Sequence, residues 1–158
     1  MNNLKNNKTL SINKTIITIV AVIVVIVVIF FGYRIFGKKA SNSTALVELK
    51  QLQELVLSDL VSATGDADLE INCDGVIFAY SVETGKVVFS GTLKTNDNGK
   101  TFTEEIKKRI TDANGIKGTF NYEDGVIIYT TSNGMGKATW ESGKTPKKAN
   151  WTISELFK

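Results

Sequence analysis

Three carboxylates alternate along one short stretch of the chain, at Asp66, Asp68 and Glu70. Alternate side chains of a β-strand lie on one face, so this spacing could gather oxygen ligands around a Ca²⁺ ion. A solvated strand edge or turn explains the same spacing without any ligand. We favour that second interpretation and predict no metal site at these residues.

A second arrangement with metal-site spacing spans residues 94–105. Lys94 occupies the first position of an EF-hand-like loop, where an aspartate normally binds the cation, and its positive charge opposes binding. Thr101 and Glu104 have the spacing of a capping box, which predicts instead that a helix begins there. The residues that do match the loop pattern are Asn96, Asn98, Gly99 and Glu105.

The chain has no histidine, and Cys73 is its only cysteine. These two facts exclude a Ser-His-Asp triad, a Cys-His dyad, a histidine-ligated metal and a zinc site built on thiolates. The segment 132–136 lacks the Gly-Lys-Ser/Thr ending of a phosphate-binding loop. We therefore predict a protein that is not an enzyme, with no catalytic residues, no cofactor and no metal.

An apolar segment at 15–36 precedes the helices and strands that would position any functional residue. Between Ile16 and Phe31 its only polar side chain is Thr18. About 20 apolar residues allow a helix to cross the roughly 30 Å of hydrocarbon in a bilayer, where only a helix satisfies its backbone within one segment. The segment is longer than the apolar core of a signal peptide, and no small-x-small cleavage motif follows closely. We predict an uncleaved transmembrane helix at 15–36.

Charge is divided unevenly between the two parts of the chain. Six of the 19 basic residues precede position 40, whereas all 16 acidic residues lie at Glu48 or beyond. The 13 remaining basic residues leave the rest of the chain with a formal charge of −3. The basic excess therefore flanks the apolar segment, where cations meet anionic headgroups. A domain that binds nucleic acid would carry its excess of basic residues on the surface of the folded domain. We therefore predict that the chain has a lipid bilayer as a partner and that it does not bind nucleic acid.

A short basic tail at 1–14 before a single span is the usual form of a signal anchor. The flanking cations are nearly balanced, so the tail decides the orientation. We predict a single-pass protein of the cell membrane, with a cytoplasmic tail and an extracytoplasmic domain. The preference for Lys and Asn indicates an AT-rich, bacterial genome.

A polar linker is predicted at 37–44 and an amphipathic helix at 45–62, because apolar residues recur there at helical spacing. This stripe predicts a helix packed on the core of its own domain; pairing with a partner chain is the alternative. Trp151, Leu156 and Phe157 are predicted to pack on the domain, because exposed apolar side chains there would be unfavourable. The candidate contact residues for a protein partner or for self-assembly are Leu49, Leu52, Val56, Leu60, Trp151, Leu156 and Phe157.

Short strands separated by turn residues fill the rest of the domain. Asp74-Gly75 and Asp124-Gly125 are typical of tight hairpins. Helix–strand–strand–strand is predicted twice, in 45–93 and 101–141, and an offset of 50 residues aligns the two units. A true duplication and two similar meanders both explain this match. In either case the domain at 45–158 is α+β, with antiparallel β-meanders and two packed helices after the transmembrane helix.

The leading functional hypothesis is a membrane-anchored protein that displays a small non-enzymatic domain for interaction or assembly. The layout of basic leader, apolar helix, amphipathic continuation and antiparallel sheet also resembles type IV pilins and pseudopilins. That resemblance implies a subunit of a cell-envelope filament or secretion machine. Lys14-Thr15-Ile16 stands where that family has its boundary glycine, and the first acidic residue is Glu48. A small-ligand sensor or an enzyme is the third hypothesis.

Overall fold

The computed structural model describes residues 3–62, 70–110 and 112–150, with side chains from residue 16 onward. The chain forms two units, Met1–Gly37 and Lys38–Lys158. Helices and antiparallel sheets together make an α+β protein, which confirms the predicted class. The elements are α1 (Asn3–Ser62), β1 (Ile71–Cys73), β2 (Val76–Ser81), β3 (Lys86–Gly91), α2 (Lys100–Arg109), β4 (Thr119–Glu123), β5 (Val126–Thr130), β6 (Lys137–Glu141) and β7 (Lys147–Lys148).

The first unit is the apolar part of α1. Every large apolar side chain from Ile16 to Phe36 is exposed on the helix surface. The Arg34 guanidinium lies 5.3 Å from the centre of the Phe30 ring, a cation–π contact near the end of this segment. By length and composition the helix is able to cross a membrane, and a signal sequence has the same character.

Residues 37–44 are helical and belong to α1, whereas the sequence predicted a linker there. Ser43 Oγ donates to the Lys39 carbonyl at 3.1 Å, and Thr44 Oγ1 donates to the Ala40 carbonyl at 3.4 Å. The hydroxyls that could have capped a new helix thus bond back to the preceding turn. The helix passes through this polar segment because its side-chain hydroxyls are satisfied without ending it.

In the second unit, the later turns of α1 supply one side of the core. Leu49, Leu52 and Val56 have no exposed surface, and Leu60 is 4% exposed. Their spacing places them on one helix face, which packs on the domain. The prediction of a core-facing amphipathic helix is confirmed by this burial.

Two antiparallel sheets complete the second unit, in the orders β1-β2-β3 and β4-β5-β6-β7. The outer edge of β3 meets the turn after β6: the Phe89 N–H donates to Ser142 Oγ at 2.8 Å, and the Val87 carbonyl accepts from the Gly143 N–H at 3.1 Å. Aromatic rings from both sheets and α2 meet in one core. These rings are Phe78, Phe89, Phe102, Tyr122 and Trp140, with neighbouring centroids 5.0–6.5 Å apart.

The two meanders share one hairpin register. Cys73 pairs with Val76 across the first turn of one meander, and Glu123 pairs with Val126, 50 residues later, across the first turn of the other. The pairing of β2 with β3 is repeated at the same offset by β5 with β6. Matching turn chemistry therefore produces matching strand pairing.

The buried faces of the two meanders are out of phase by one residue. Val76 and Phe78 are buried in β2, whereas Ile127 and Tyr129 are buried in β5. A shift of one residue moves a side chain to the opposite face of a strand. The repeat thus extends to the hairpins and not to the core pattern, which favours two similar meanders over a duplicated packing unit.

Candidate functional site

The predicted contact residues divide into two groups. The four on α1 are the core residues described above, so their side chains are not on the surface that a partner would meet. Their role as contact residues for a partner or for self-assembly stays a prediction, and the structure places them in the core of the second unit. The other three, Trp151, Leu156 and Phe157, lie outside the described residues.

The alternating carboxylates do not form a described site. Asp66 and Asp68 lie outside the described residues, and Glu70 is exposed just before β1. Within residues 16–62, 70–110 and 112–150, no group of three or more His, Cys, Asp or Glu side chains is placed to hold a metal ion.

The loop at 94–105 is organised by hydrogen bonds that differ from those predicted. Asp97 Oδ2 accepts from both the Thr101 N–H, at 2.9 Å, and the Thr101 hydroxyl, at 2.6 Å. The capping box between Thr101 and Glu104 is therefore a wrong prediction, since Asp97, three residues before α2 begins at Lys100, supplies the acceptor. The Thr101 hydroxyl bond is the main reason that the pKa of Asp97 is lowered.

Glu105, the twelfth residue of that loop, binds protein rather than being free for a cation. Its Oε2 accepts from the Asp74 N–H at 2.5 Å. Asp74 in turn accepts from Thr95 through both carboxylate oxygens, from the hydroxyl at 2.9 Å and from the N–H at 3.3 Å. These bonds join α2, the β1–β2 turn and the loop after β3, and their role is structural.

Cys73 lies beside this junction and is fully buried. Burial raises the pKa of its thiol to about 12, against a smaller lowering by Arg109. The thiolate is the reactive form of cysteine, so a thiol held protonated is a poor nucleophile and a poor metal ligand. Its role in the fold is that of a small core residue.

A polar cavity of about 250 Å³ lies between the loop after β3 and the end of β4. Inside it, the Asn121 amide donates to Glu123 Oε1 at 2.7 Å. Amides can bind a small neutral ligand, but a single carboxylate offers no acid–base pair. The lining residues are Leu93, Thr95, Asn96, Asn98, Asn121, Tyr122 and Glu123.

A hydrogen-bonded contact forms where the early domain turns of α1 meet the second sheet. Asn42 is 5% exposed; its amide donates to the Ala149 carbonyl at 3.2 Å, and its oxygen accepts from the Lys137 N–H at 2.8 Å. Lys148 Nζ donates to Ser43 Oγ at 2.8 Å.

Sequence reasoning placed Asn42 and Ser43 in a linker and missed this contact. No local signal identifies it, because the partners of Asn42 lie 95 and 107 residues away along the chain. No family model, curated protein or solved structure matches this chain.

Proposed function

We propose that the chain is a single-pass membrane protein whose apolar segment anchors a non-enzymatic assembly domain outside the cytoplasm. The observation that carries the proposal is the exposure of every large apolar side chain from Ile16 to Phe36. Soluble monomers rarely expose contiguous apolar patches above a few hundred Å². A surface of this kind needs a cover, and a bilayer matches its length and composition.

Three carboxylates of the second unit are engaged by other groups of the protein, which supports a role without catalysis. Glu105 binds a backbone N–H, and Glu48 accepts the Tyr129 hydroxyl at 2.8 Å. Glu141 is bonded to Lys144 of the turn that follows β6 and to Lys147 of β7. Carboxylates held in this way stabilise turns and packing, whereas an acid–base pair needs two groups directed at one substrate.

A second candidate is a pilin-like or pseudopilin-like subunit, and one observation favours it. α1 runs from Asn3 to Ser62 without a break, and its later turns pack on antiparallel sheets. The resembled family uses a continuous helix of this sort before its sheet. Lys14-Thr15-Ile16 stands where that family has its boundary glycine, and the glutamate that the family has inside its apolar helix has no counterpart here before Glu48.

Labelling in intact cells tests the anchor and the orientation together. We expect a membrane-impermeant maleimide to label Ser90→Cys in intact cells and Asn7→Cys only after permeabilisation. The unchanged chain is the control, because its Cys73 is buried and should stay unlabelled. The reverse pattern would place the domain in the cytoplasm, and a full-length product soluble without detergent would exclude the anchor. A mature chain that begins near Lys14 would favour the pilin-like candidate.

A further inference from the structure

The polar cavity of the second unit lies between two segments that the fold brings together. One wall is formed by residues 93–98 of the loop after β3, and the other by residues 121–123 of β4. The loop runs close along the edge of β4, because Gly99 packs on the Phe120 carbonyl with no room for a Cβ. Residues distant in sequence thus line one volume of about 250 Å³.

Every second side chain of the loop holds it against the rest of the domain. Thr95 donates to Asp74 through both its hydroxyl and its N–H, and Asp97 accepts two hydrogen bonds from the first turn of α2. The alternate residues, Asn96 and Asn98, line the cavity. Both are exposed, and within residues 16–62, 70–110 and 112–150 neither side chain has a hydrogen-bond partner. The loop therefore presents two unpaired amides on an ordered backbone.

The end of β4 contributes an unpaired backbone edge to the same cavity. The Phe120 N–H donates to Thr103 Oγ1 at 2.8 Å, and the Phe120 carbonyl accepts from that hydroxyl at 3.0 Å, so both groups point away from β5. Alternate residues of an antiparallel strand direct these groups to the same edge, which gives Tyr122 the same orientation. Among the described residues nothing bonds the Tyr122 N–H or carbonyl, although Tyr122 is only 8% exposed. Because buried backbone groups are nearly always paired, a molecule in the cavity must supply their partner.

The lining favours a neutral ligand that carries several hydroxyl groups. Each amide and the backbone edge offer both a donor and an acceptor, and a hydroxyl group satisfies either one. Among the described residues no Lys or Arg lines the cavity, and Glu123 is its one charged side chain, so an anion would be repelled. An extended peptide would pair along the sheet edge, but α2 covers that edge at Phe120 and the hairpin turn begins at Asp124.

We propose that this cavity binds one neutral sugar unit, whose hydroxyl groups pair with the Asn96 and Asn121 amides and with the Tyr122 backbone edge. The Asn121 amide donates to Glu123 Oε1 at 2.7 Å, which fixes both side chains and leaves the second N–H and the oxygen of the amide for the ligand. Half-buried Leu93 gives the C–H groups of the ring an apolar contact. The volume is below the roughly 300 Å³ at which pockets for drug-sized ligands begin, so it suits a single ring. The proposal goes beyond the membrane anchor and does not depend on it.

An NMR titration of the isotope-labelled full chain tests this site. The chain is held in dodecylphosphocholine micelles, because sugar-based detergents would compete, and the methyl glycosides of glucose, galactose and mannose are added separately. We expect saturable shifts of the Tyr122 backbone amide and of the Asn96 and Asn121 side-chain amides with at least one of them. The uronic acid of the sugar that binds best should bind at least about fivefold more weakly, because the Glu123 carboxylate repels it.

Three variants separate binding from folding. Asn96→Ala should weaken binding of that sugar by about fivefold, as expected for one lost hydrogen bond, without disturbing the fold. Asn114→Ala removes an exposed amide that does not line the cavity and should leave the affinity unchanged. Glu123→Gln keeps an acceptor for the Asn121 amide, so it should retain the neutral sugar and allow the uronic acid to bind equally well.

Three results would overturn the proposal. The first is the absence of a saturable shift with any of the three sugars. The second is an equal effect of Asn96→Ala and Asn114→Ala, or a uronic acid that binds the unchanged chain as tightly as the neutral sugar. The third is saturation by acetylated and amidated trialanine but by none of the sugars, which would replace the sugar site with strand addition at Tyr122.

Discussion

Tyr129 and Glu48 are joined by a hydrogen bond of 2.8 Å from the tyrosine hydroxyl to the glutamate Oε2. The same hydroxyl accepts from the Gly118 N–H at 2.8 Å. One atom thus connects α1, β5 and the segment that enters β4. Burial raises the pKa of Tyr129, and the hydrogen bond and charge of Glu48 raise it further. The hydroxyl therefore stays protonated and able to donate.

Tyr129→Phe should lower the free energy of unfolding by about 1–3 kcal/mol, because it leaves the buried Gly118 N–H without its acceptor. The measurement is urea unfolding of the full chain in detergent, followed by the fluorescence of the buried Trp140. Tyr80→Phe is the matched control, since Tyr80 is exposed. Equal stability of the two variants would contradict the structural role of the Tyr129 hydroxyl.

Leu52→Ala should destabilise the domain by about 2–5 kcal/mol, because a fully buried leucine leaves a cavity in the core. Gln51→Ala, at the exposed neighbouring position, should change stability by less than about 0.5 kcal/mol. Both are read from the same denaturation curves. If Leu52→Ala left stability unchanged and instead weakened association between copies, the helix face would be a contact surface after all.

Gly99→Ala should destabilise the domain more than Gly134→Ala, although both glycines have positive φ, 78° and 70°. A Cβ on Gly99 would lie 2.1 Å from the Phe120 carbonyl oxygen, whereas a Cβ on Gly134 would meet nothing within 4 Å. The left-handed backbone alone costs about 1 kcal/mol, so the excess at Gly99 measures the contact between α2 and β4. Similar melting temperatures for the two variants would show that α2 does not approach β4 this closely.

Glu141 should titrate far below an ordinary glutamate. Hydrogen bonds from Lys144 and then Lys147 lower its pKa from 4.5 to about 2. Because the folded pKa is the lower one, this contribution to stability is complete above about pH 4.5 and is lost as the pH falls towards 2. Carbon NMR of the side-chain carboxyl should give that midpoint.

The control for Glu141 is a pair of variants. Lys144→Gln with Lys147→Gln should return the midpoint towards 4.5, and Lys86→Gln should not move it. Because the carboxylate is exposed to solvent, the effect on total stability should be small in both cases. A midpoint near 4.5 in the unchanged chain would show that the two lysines do not hold Glu141.

Local chemistry made much of the second unit predictable. Asp74 and Asp124 have positive φ, 46° and 49°, as tight Asp-Gly hairpins require. The strand at Lys137–Glu141 and the buried stripe of α1 also follow from patterns of a few residues. These features depend on neighbours in sequence, so composition and spacing reveal them.

The features that sequence could not give depend on distant residues. The helix continues through 37–44, and Asn42 there is bound by the second sheet, 95 residues away along the chain, instead of capping a new helix. The start of α2 was assigned to Thr101 and Glu104, whereas Asp97 supplies the acceptor. The short β7 pairs with β6, but its two residues are too few to show a periodic pattern in the sequence.

The opposite burial phases of the two meanders also bear on how this chain avoids folding incorrectly. Because the two meanders have the same strand register, backbone pairing alone would not prevent one of them from packing in the position of the other during folding. An exchanged meander, however, would direct Ile77 and Ala79, or Ile128 and Thr130, towards the interior and expose its large side chains. The mismatch therefore distinguishes the two meanders, because each directs its large side chains to the interior only in its own position.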